Sequence, residues 1–162
     1  MMLETAAARW ASAGNLRPLL EGMPKLVHLL GFEFYLFTSP TSQLHSNLGP
    51  EELACLDAFA SSNPIPGYVE THELPLLWTV DAFLTAPDLW AVLQASGLRH
   101  GWVQPSHLEG THSSLTVLRP RCVISPQELY RKAGFVMWAA QQLHRASLIH
   151  HQGSEVSDTC GR

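Results

Sequence analysis

Positive charge is what this chain most conspicuously runs short of. Ten Lys and Arg stand against fourteen Asp and Glu, for a formal charge of −4, and nowhere do the basic residues cluster. Without a basic run nothing neutralises a phosphate backbone, so this chain alone does not bind nucleic acid. Cysteine is scarce as well: Cys55, Cys122 and Cys160 are odd in number and widely spaced, with no C-x-x-C pair. That pattern excludes a disulfide framework or a zinc finger and fits a reducing compartment. No apolar run approaches the length of a membrane span, and Met1-Met2-Leu3-Glu4-Thr5 has neither the positive start nor the long apolar stretch of a signal peptide. A glycine-rich phosphate loop and a nucleophile elbow are missing too. The chain therefore reads as soluble and cytoplasmic, with no cofactor.

What is present is apolar. At 162 residues, 46% hydrophobic and 15% charged, the chain is one domain with a full core and a surface poor enough in charge for a partner to cover part of it.

The organising stretch is Gly97-Leu98-Arg99-His100-Gly101-Trp102-Val103-Gln104-Pro105 and its sequel Ser113-Ser114-Leu115-Thr116-Val117-Leu118-Arg119. It reads as a glycine-stopped helix, a strand, a short polar connection through Ser106, His107, Glu109 and His112, and a second strand. Alternation sets Trp102 and Gln104 opposite Val103, and Ser114, Thr116 and Leu118 opposite Leu115 and Val117. Thr116 thereby projects a hydroxyl into an apolar layer, where it needs a partner from protein, water or ligand.

Before this stretch, residues 3 to 13 predict an alanine-rich helix ended by Gly14. A second helix follows, capped by Asn15, with Leu16, Leu19, Leu20, Met23, Leu26, Val27 and Leu30 on one stripe and Pro24 expected to bend or interrupt it. Gly31 stops that helix, and Phe32 to Thr38 reads as an aromatic strand covered on both sides. Pro50-Glu51-Glu52-Leu53 opens a short helix to about Phe59. Two prolines and a glycine make residues 61 to 67 an irregular connection. Leu74 to Trp78 is an edge segment, and Thr85-Ala86-Pro87-Asp88 starts a helix carrying Leu89, Trp90, Val92 and Leu93. After Arg119, Val123 and Ile124 extend the second strand. Ser125-Pro126-Gln127-Glu128 is a capping box for a long last helix whose apolar residues occupy more than one side, suited to packing on the sheet and on a second subunit. The domain spans residues 1 to 149, and residues 150 to 162 form a disordered tail or linker remnant.

Catalytic and metal chemistry find little support. His150 and His151 are adjacent, so they do not share a helix face, and no third ligand lies nearby. Cys55 sits among Glu51, Glu52 and Asp57, the wrong surroundings for a thiolate. Ser106 and His107, with Glu109 and His112, sketch a hydrolytic site without the motif that would support it. An enzyme is the weakest of three possibilities, and no metal site is assigned.

The order and spacing of Asn63-Pro64-Ile65, Pro75-Leu76-Leu77-Trp78, Asp81, Phe83, Leu89-Trp90, Gly97 to Trp102, Pro105 and Ser114 to Arg119 resemble the autoinducer-binding domain of LuxR-type quorum-sensing regulators. Gly31 to Tyr35 resembles that family's first strand, and Glu128 to Trp138 its last helix. The resemblance covers roughly residues 3 to 148. It implies an α+β fold, an α-β-α sandwich with a five-stranded antiparallel sheet, a pocket for an acyl-homoserine lactone and dimerisation. It further implies a C-terminal helix-turn-helix domain, which this sequence lacks.

Carried over by position, the resemblance makes Trp78 the tryptophan beneath the lactone ring. Asn63 stands for the aspartate that accepts the ligand's amide N–H, and Thr116 is a hydroxyl facing the acyl carbonyl. Leu36 in the first strand, with Leu89 and Trp90, provides apolar pocket wall. The family's Tyr-Pro-x-x-Trp-x-x-x-Tyr appears as Gly49-Pro50-Glu51-Glu52-Leu53-Ala54-Cys55-Leu56-Asp57, so the tryptophan that donates to the lactone carbonyl is Leu53 and the second tyrosine is Asp57. Leucine donates nothing, and an unsatisfied buried carbonyl costs about 1–3 kcal/mol. The expectation is an orphan-like sensor and dimerisation domain whose pocket is altered away from ordinary acyl-homoserine lactones, toward another apolar signal molecule or toward no ligand. The alternative is a ligand-independent anti-activator that heterodimerises with a full-length LuxR-type regulator.

Overall fold

The computed structural model describes residues 2 to 160, with side chains described through residue 149. Its centre is one long antiparallel hairpin, β4 (His100–Leu108) and β5 (Thr111–Arg119), in register from His100 opposite Arg119 to Leu108 opposite Thr111. The strands run further toward each other than the sequence suggests. The polar connection read there shrinks to Glu109 and Gly110, both left-handed with φ of 53° and 76°, the tight geometry that matches the twist of paired strands. His107 and His112 consequently face each other across the ladder.

β1 (Phe34–Thr38) pairs with β5, and β2 (Leu44–Ser46), a strand not foreseen in the sequence, pairs with β1. β3 (Leu76–Leu77) pairs with β4 at the other edge, as its proline predicts. The order is β2-β1-β5-β4-β3, antiparallel throughout.

One sheet face, with Tyr35, Phe37, Trp102, Leu115 and Val117, packs on α1 (Met2–Ala11), α2 (Leu16–Leu29) and α6 (Pro126–Cys160). The opposite face, with Leu36, Val103 and Leu118, packs on α3 (Pro50–Ala58), α4 (Ile65–Thr71) and α5 (Pro87–Ala95). This is the α-β-α sandwich implied above, its two cores divided by the sheet.

Four local outcomes differ from the sequence reading. Helix α2 runs unbroken through Pro24. Proline leaves the carbonyl four residues earlier without its N–H, and Leu20 O accepts the Tyr35 hydroxyl at 3.3 Å. Residues 65 to 67, read as irregular, begin α4. Pro66 lies in a first turn, where no donor is needed, and Asn63 Oδ1 accepts Ile65 N–H at 3.0 Å. Val123 and Ile124 do not extend β5, because the chain turns at Cys122, φ 69°. Helix α6 continues to Cys160, past the boundary drawn at Ile149; the side chains of the tail expected at 150 to 162 lie outside the described residues.

The capping box at α6 is half formed. Ser125 Oγ accepts Glu128 N–H at 3.1 Å, but the Glu128 carboxylate turns away. It takes Arg119 Nη1 and Nη2 at 2.8 and 2.6 Å and Lys132 Nζ at 2.6 Å. Lys132 also donates to Leu30 O, and Arg119 to Gly31 O at 3.2 Å. One cluster thus ties the end of α2, the end of β5 and the start of α6.

Candidate functional site

On the α3/α4/α5 side of the sheet a cavity of about 580 Å³ opens between β1, β5, α3 and α4. Its floor follows from strand alternation. Leu36 and Thr38 on β1 and Ser114 and Thr116 on β5 share one face, with Leu36 directly opposite Thr116. One wall comes from α3, where Leu53, Leu56 and Asp57 recur at helical spacing, and from Ala60 in the turn that follows it. Asn63, Ile65, Pro66 and Val69 supply the next, and Trp78, just beyond β3, closes the end.

Six of the eight residues singled out in the sequence line this space together: Trp78, Asn63, Thr116, Leu53, Asp57 and Leu36. The other two do not reach it. Leu89 is 1% exposed in the core behind the cavity, and Trp90 packs on Phe83, ring centroids 5.4 Å apart. Their helical spacing correctly marks an inward face, but Phe83, itself edge-on to Trp78 at 5.6 Å, stands between that face and the cavity. Thr38, Ser114 and Leu56 escaped the sequence reading, although period two from Leu36 and Thr116, and three residues on from Leu53, point to each.

Trp78 is fixed from the backbone outward. Its N–H donates to Gly101 O at 2.8 Å, continuing the edge pairing, and its ring lies over Gly101, which has no side chain to obstruct it. The indole is 9% exposed, yet its Nε1–H meets no acceptor among the described residues. A buried donor left unmade costs about 1–3 kcal/mol, so such an atom marks a place where a ligand or water completes the bonding.

Asn63 has its amide orientation set by its neighbour. Oδ1 accepts Ile65 N–H, which leaves Nδ2 as the uncommitted end. Thr116 is 5% exposed. Asp57 is solvent-exposed and stands at the rim.

The hydrolytic arrangement sketched in the sequence does not assemble. As strand neighbours, Ser106 and His107 face opposite sides of the sheet. His107 Nε2 lies 2.7 Å from Val69 O and 3.1 Å from His72 O, tying β4 to α4. Among the described residues no group of three His, Cys, Asp or Glu is placed to hold a metal ion. The same holds for membrane crossing: no described helix is long and apolar enough.

Residues 15 to 147 match the family model described as the autoinducer binding domain. The chain belongs to that family. Its fold is shared with CepR2 of Burkholderia cenocepacia, an N-acylhomoserine lactone dependent LuxR family transcription factor. The TM-score is 0.76 at 17% identity, over 94% of this chain and 99% of that one. SdiA of Escherichia coli, solved in complex with octanoyl-rac-glycerol, superposes with a TM-score of 0.62 at 21% identity, over 91% of this chain and 64% of SdiA. In sequence, the chain is 27% identical over 130 residues to the transcriptional activator protein PhzR of Pseudomonas fluorescens. The match takes in 74% of this chain and 53% of PhzR, so the chain spans about half the length of that relative. PhzR and CepR2 are both transcription regulators.

Proposed function

We propose that this chain is the signal-sensing and dimerisation domain of a cytoplasmic LuxR-type quorum-sensing regulator, with a cavity turned away from ordinary acyl-homoserine lactones toward a different apolar small molecule. The observation that carries this reading is the orphaned Trp78 Nε1–H in a cavity that sets leucine, isoleucine and valine beside the polar side chains of Thr38, Asn63, Ser114 and Thr116. An apolar space of this size with a few convergent polar groups is the ordinary form of a small-molecule site. Leucine at position 53, where the family resemblance calls for the lactone-binding tryptophan, supports the altered preference. Binding would act by linkage: a guest held only by the folded domain stabilises it and favours its dimer-competent form.

The test is mass spectrometry of small molecules carried through purification by the wild-type chain and by Trp78→Ala. A compound that copurifies with the first and not the second is expected. A compound retained equally by both would remove Trp78 from the site.

A second reading, an anti-activator that pairs with a full-length regulator without ligand, draws on α6, where Tyr130 is 86% and Met137 41% exposed. Co-expression with candidate regulators separates the two, since a chain that only self-associates is not such a partner.

A further inference from the structure

Two N–H donors line the cavity at Trp78 and Asn63, beside the Thr38, Ser114 and Thr116 hydroxyls, which can donate or accept. Trp78 presents an N–H with no partner, and indole nitrogen has no acceptor capacity. Asn63 commits one lone pair of Oδ1 to Ile65 N–H, which turns its NH₂ to the uncommitted side. A carboxylate at this position would accept Ile65 N–H with one oxygen and still offer the other; an amide bonded the same way offers donors. Thr116 adds a hydroxyl, 5% exposed, that can donate as well as accept. The lining carboxylate, Asp57, is at the solvent-exposed rim rather than in the depth. A ligand N–H entering this wall meets N–H groups at Trp78 and Asn63, and two donors facing each other leave both unsatisfied.

We propose that the cavity selects an acyl compound whose polar head carries acceptor oxygens and no N–H, an ester or ketone rather than an N-acyl amide. The proposal rests on the reading of this cavity as a ligand site and adds the chemistry of its guest. Trp78 Nε1–H and Asn63 Nδ2–H are the specificity-determining donors, and the leucines around them hold the acyl chain.

A pair of probes differing at one position tests it: N-octanoyl homoserine lactone, and the octanoyl ester of α-hydroxy-γ-butyrolactone, in which oxygen replaces the amide N–H. Calorimetric titration of the full chain is expected to give an ester affinity about tenfold above that of the amide, the worth of one unsatisfied buried donor. Asn63→Asp, which keeps an acceptor for Ile65 N–H, is expected to bring the amide level with the ester or ahead of it. Trp78→Phe, which keeps a ring over Gly101 and removes its N–H, should weaken the ester about tenfold. An amide that binds wild type as well as or better than the ester overturns the proposal while leaving the cavity a ligand site. An ester preference unchanged in Asn63→Asp overturns it too. If neither compound binds, the ligand-site reading falls and takes the proposal with it.

Discussion

The ring of Trp78 occupies the space that a side chain at Gly101 would fill: a Cβ built there stands 2.8 Å from Trp78 Cε2 and Cε3. Gly101 lies on β4 opposite Leu118 of β5, so the indole is seated against the middle of the sheet through a one-residue gap in its surface. The first prediction follows directly. Gly101→Ala pushes the indole off its seat at about 1–3 kcal/mol, the usual cost of overpacking. Urea denaturation measures the loss, and an altered Trp emission spectrum in the folded variant reports the displaced ring. An unchanged urea midpoint would show that Trp78 is not held there.

A second concerns acid. The hydrogen bond from Arg119, followed by that from Lys132, holds the Glu128 carboxyl at about 2, against 4.5 for a free glutamate. The folded value lies below the unfolded one, so the cluster's stabilisation is complete above about pH 4.5 and fades as pH falls toward 2. Glu128→Gln should cost about 1.5–3 kcal/mol near neutrality, the worth of a hydrogen bond to a charged group. The gap between wild type and variant in urea midpoint should then narrow between pH 4.5 and pH 2. A gap that stays constant across that window would remove Glu128 as its source.

The third runs through His144, 0% exposed on α6, with Nδ1 2.7 Å from Ser113 Oγ and Nε2 2.8 Å from Thr111 Oγ1. Thr111 Oγ1 donates to Leu108 O, so it accepts from Nε2–H, and Nδ1 is left to accept from Ser113. Burial, with smaller contributions from His107 and His112, pushes the imidazole pKa below its usual 6.5 despite an opposing hydrogen bond with the Ser106 backbone. The unfolded chain therefore takes up a proton that the folded chain refuses, and stability falls as pH drops below about 6.5. The melting temperature should decline from pH 7.5 to 5.5, and His144→Gln should flatten that decline. A variant with the wild-type slope would assign the effect elsewhere, His100 being the first alternative because burial lowers its pKa too.

The fourth pairs a proline with a phenol. Pro24 leaves Leu20 O in need of a donor, and the Tyr35 hydroxyl supplies it. Tyr35→Phe should cost about 0.5–1.5 kcal/mol. In a Pro24→Ala background, where the helix regains its own N–H, the same change should cost less. A double-mutant cycle in urea reads the coupling, and strictly additive losses would break the link between the two residues.

Much of the fold was legible because its decisive signals are periodic. Alternation along residues 102 to 105 and 113 to 119 sorted the sheet faces correctly, and that sorting put Thr116 where Leu36 and Trp78 also look. The parts that escaped are too short to show a period or run against residue preference. β2 has three residues, and a left-handed glutamate at position 109 is a turn that residue preference argues against. Helix α4 hid behind Pro64 and Pro66, because proline forbids a helix interior but suits its first turn. Leu89 and Trp90 show what spacing withholds: it names a buried face without saying what the face is buried against.

The β4–β5 hairpin closes on itself through Glu109 and Gly110, whereas β1 must find β5 across the whole middle of the chain, Phe34 meeting Leu118. Closing a short loop is fast and closing a long one is slow. The sheet's centre can therefore assemble from neighbouring sequence before its flanks dock, and substitutions at this turn should alter the refolding rate more than those along β1. The order in which the domain is built would then be the reverse of the order in which the ribosome delivers it: the strand made first is the one that must wait.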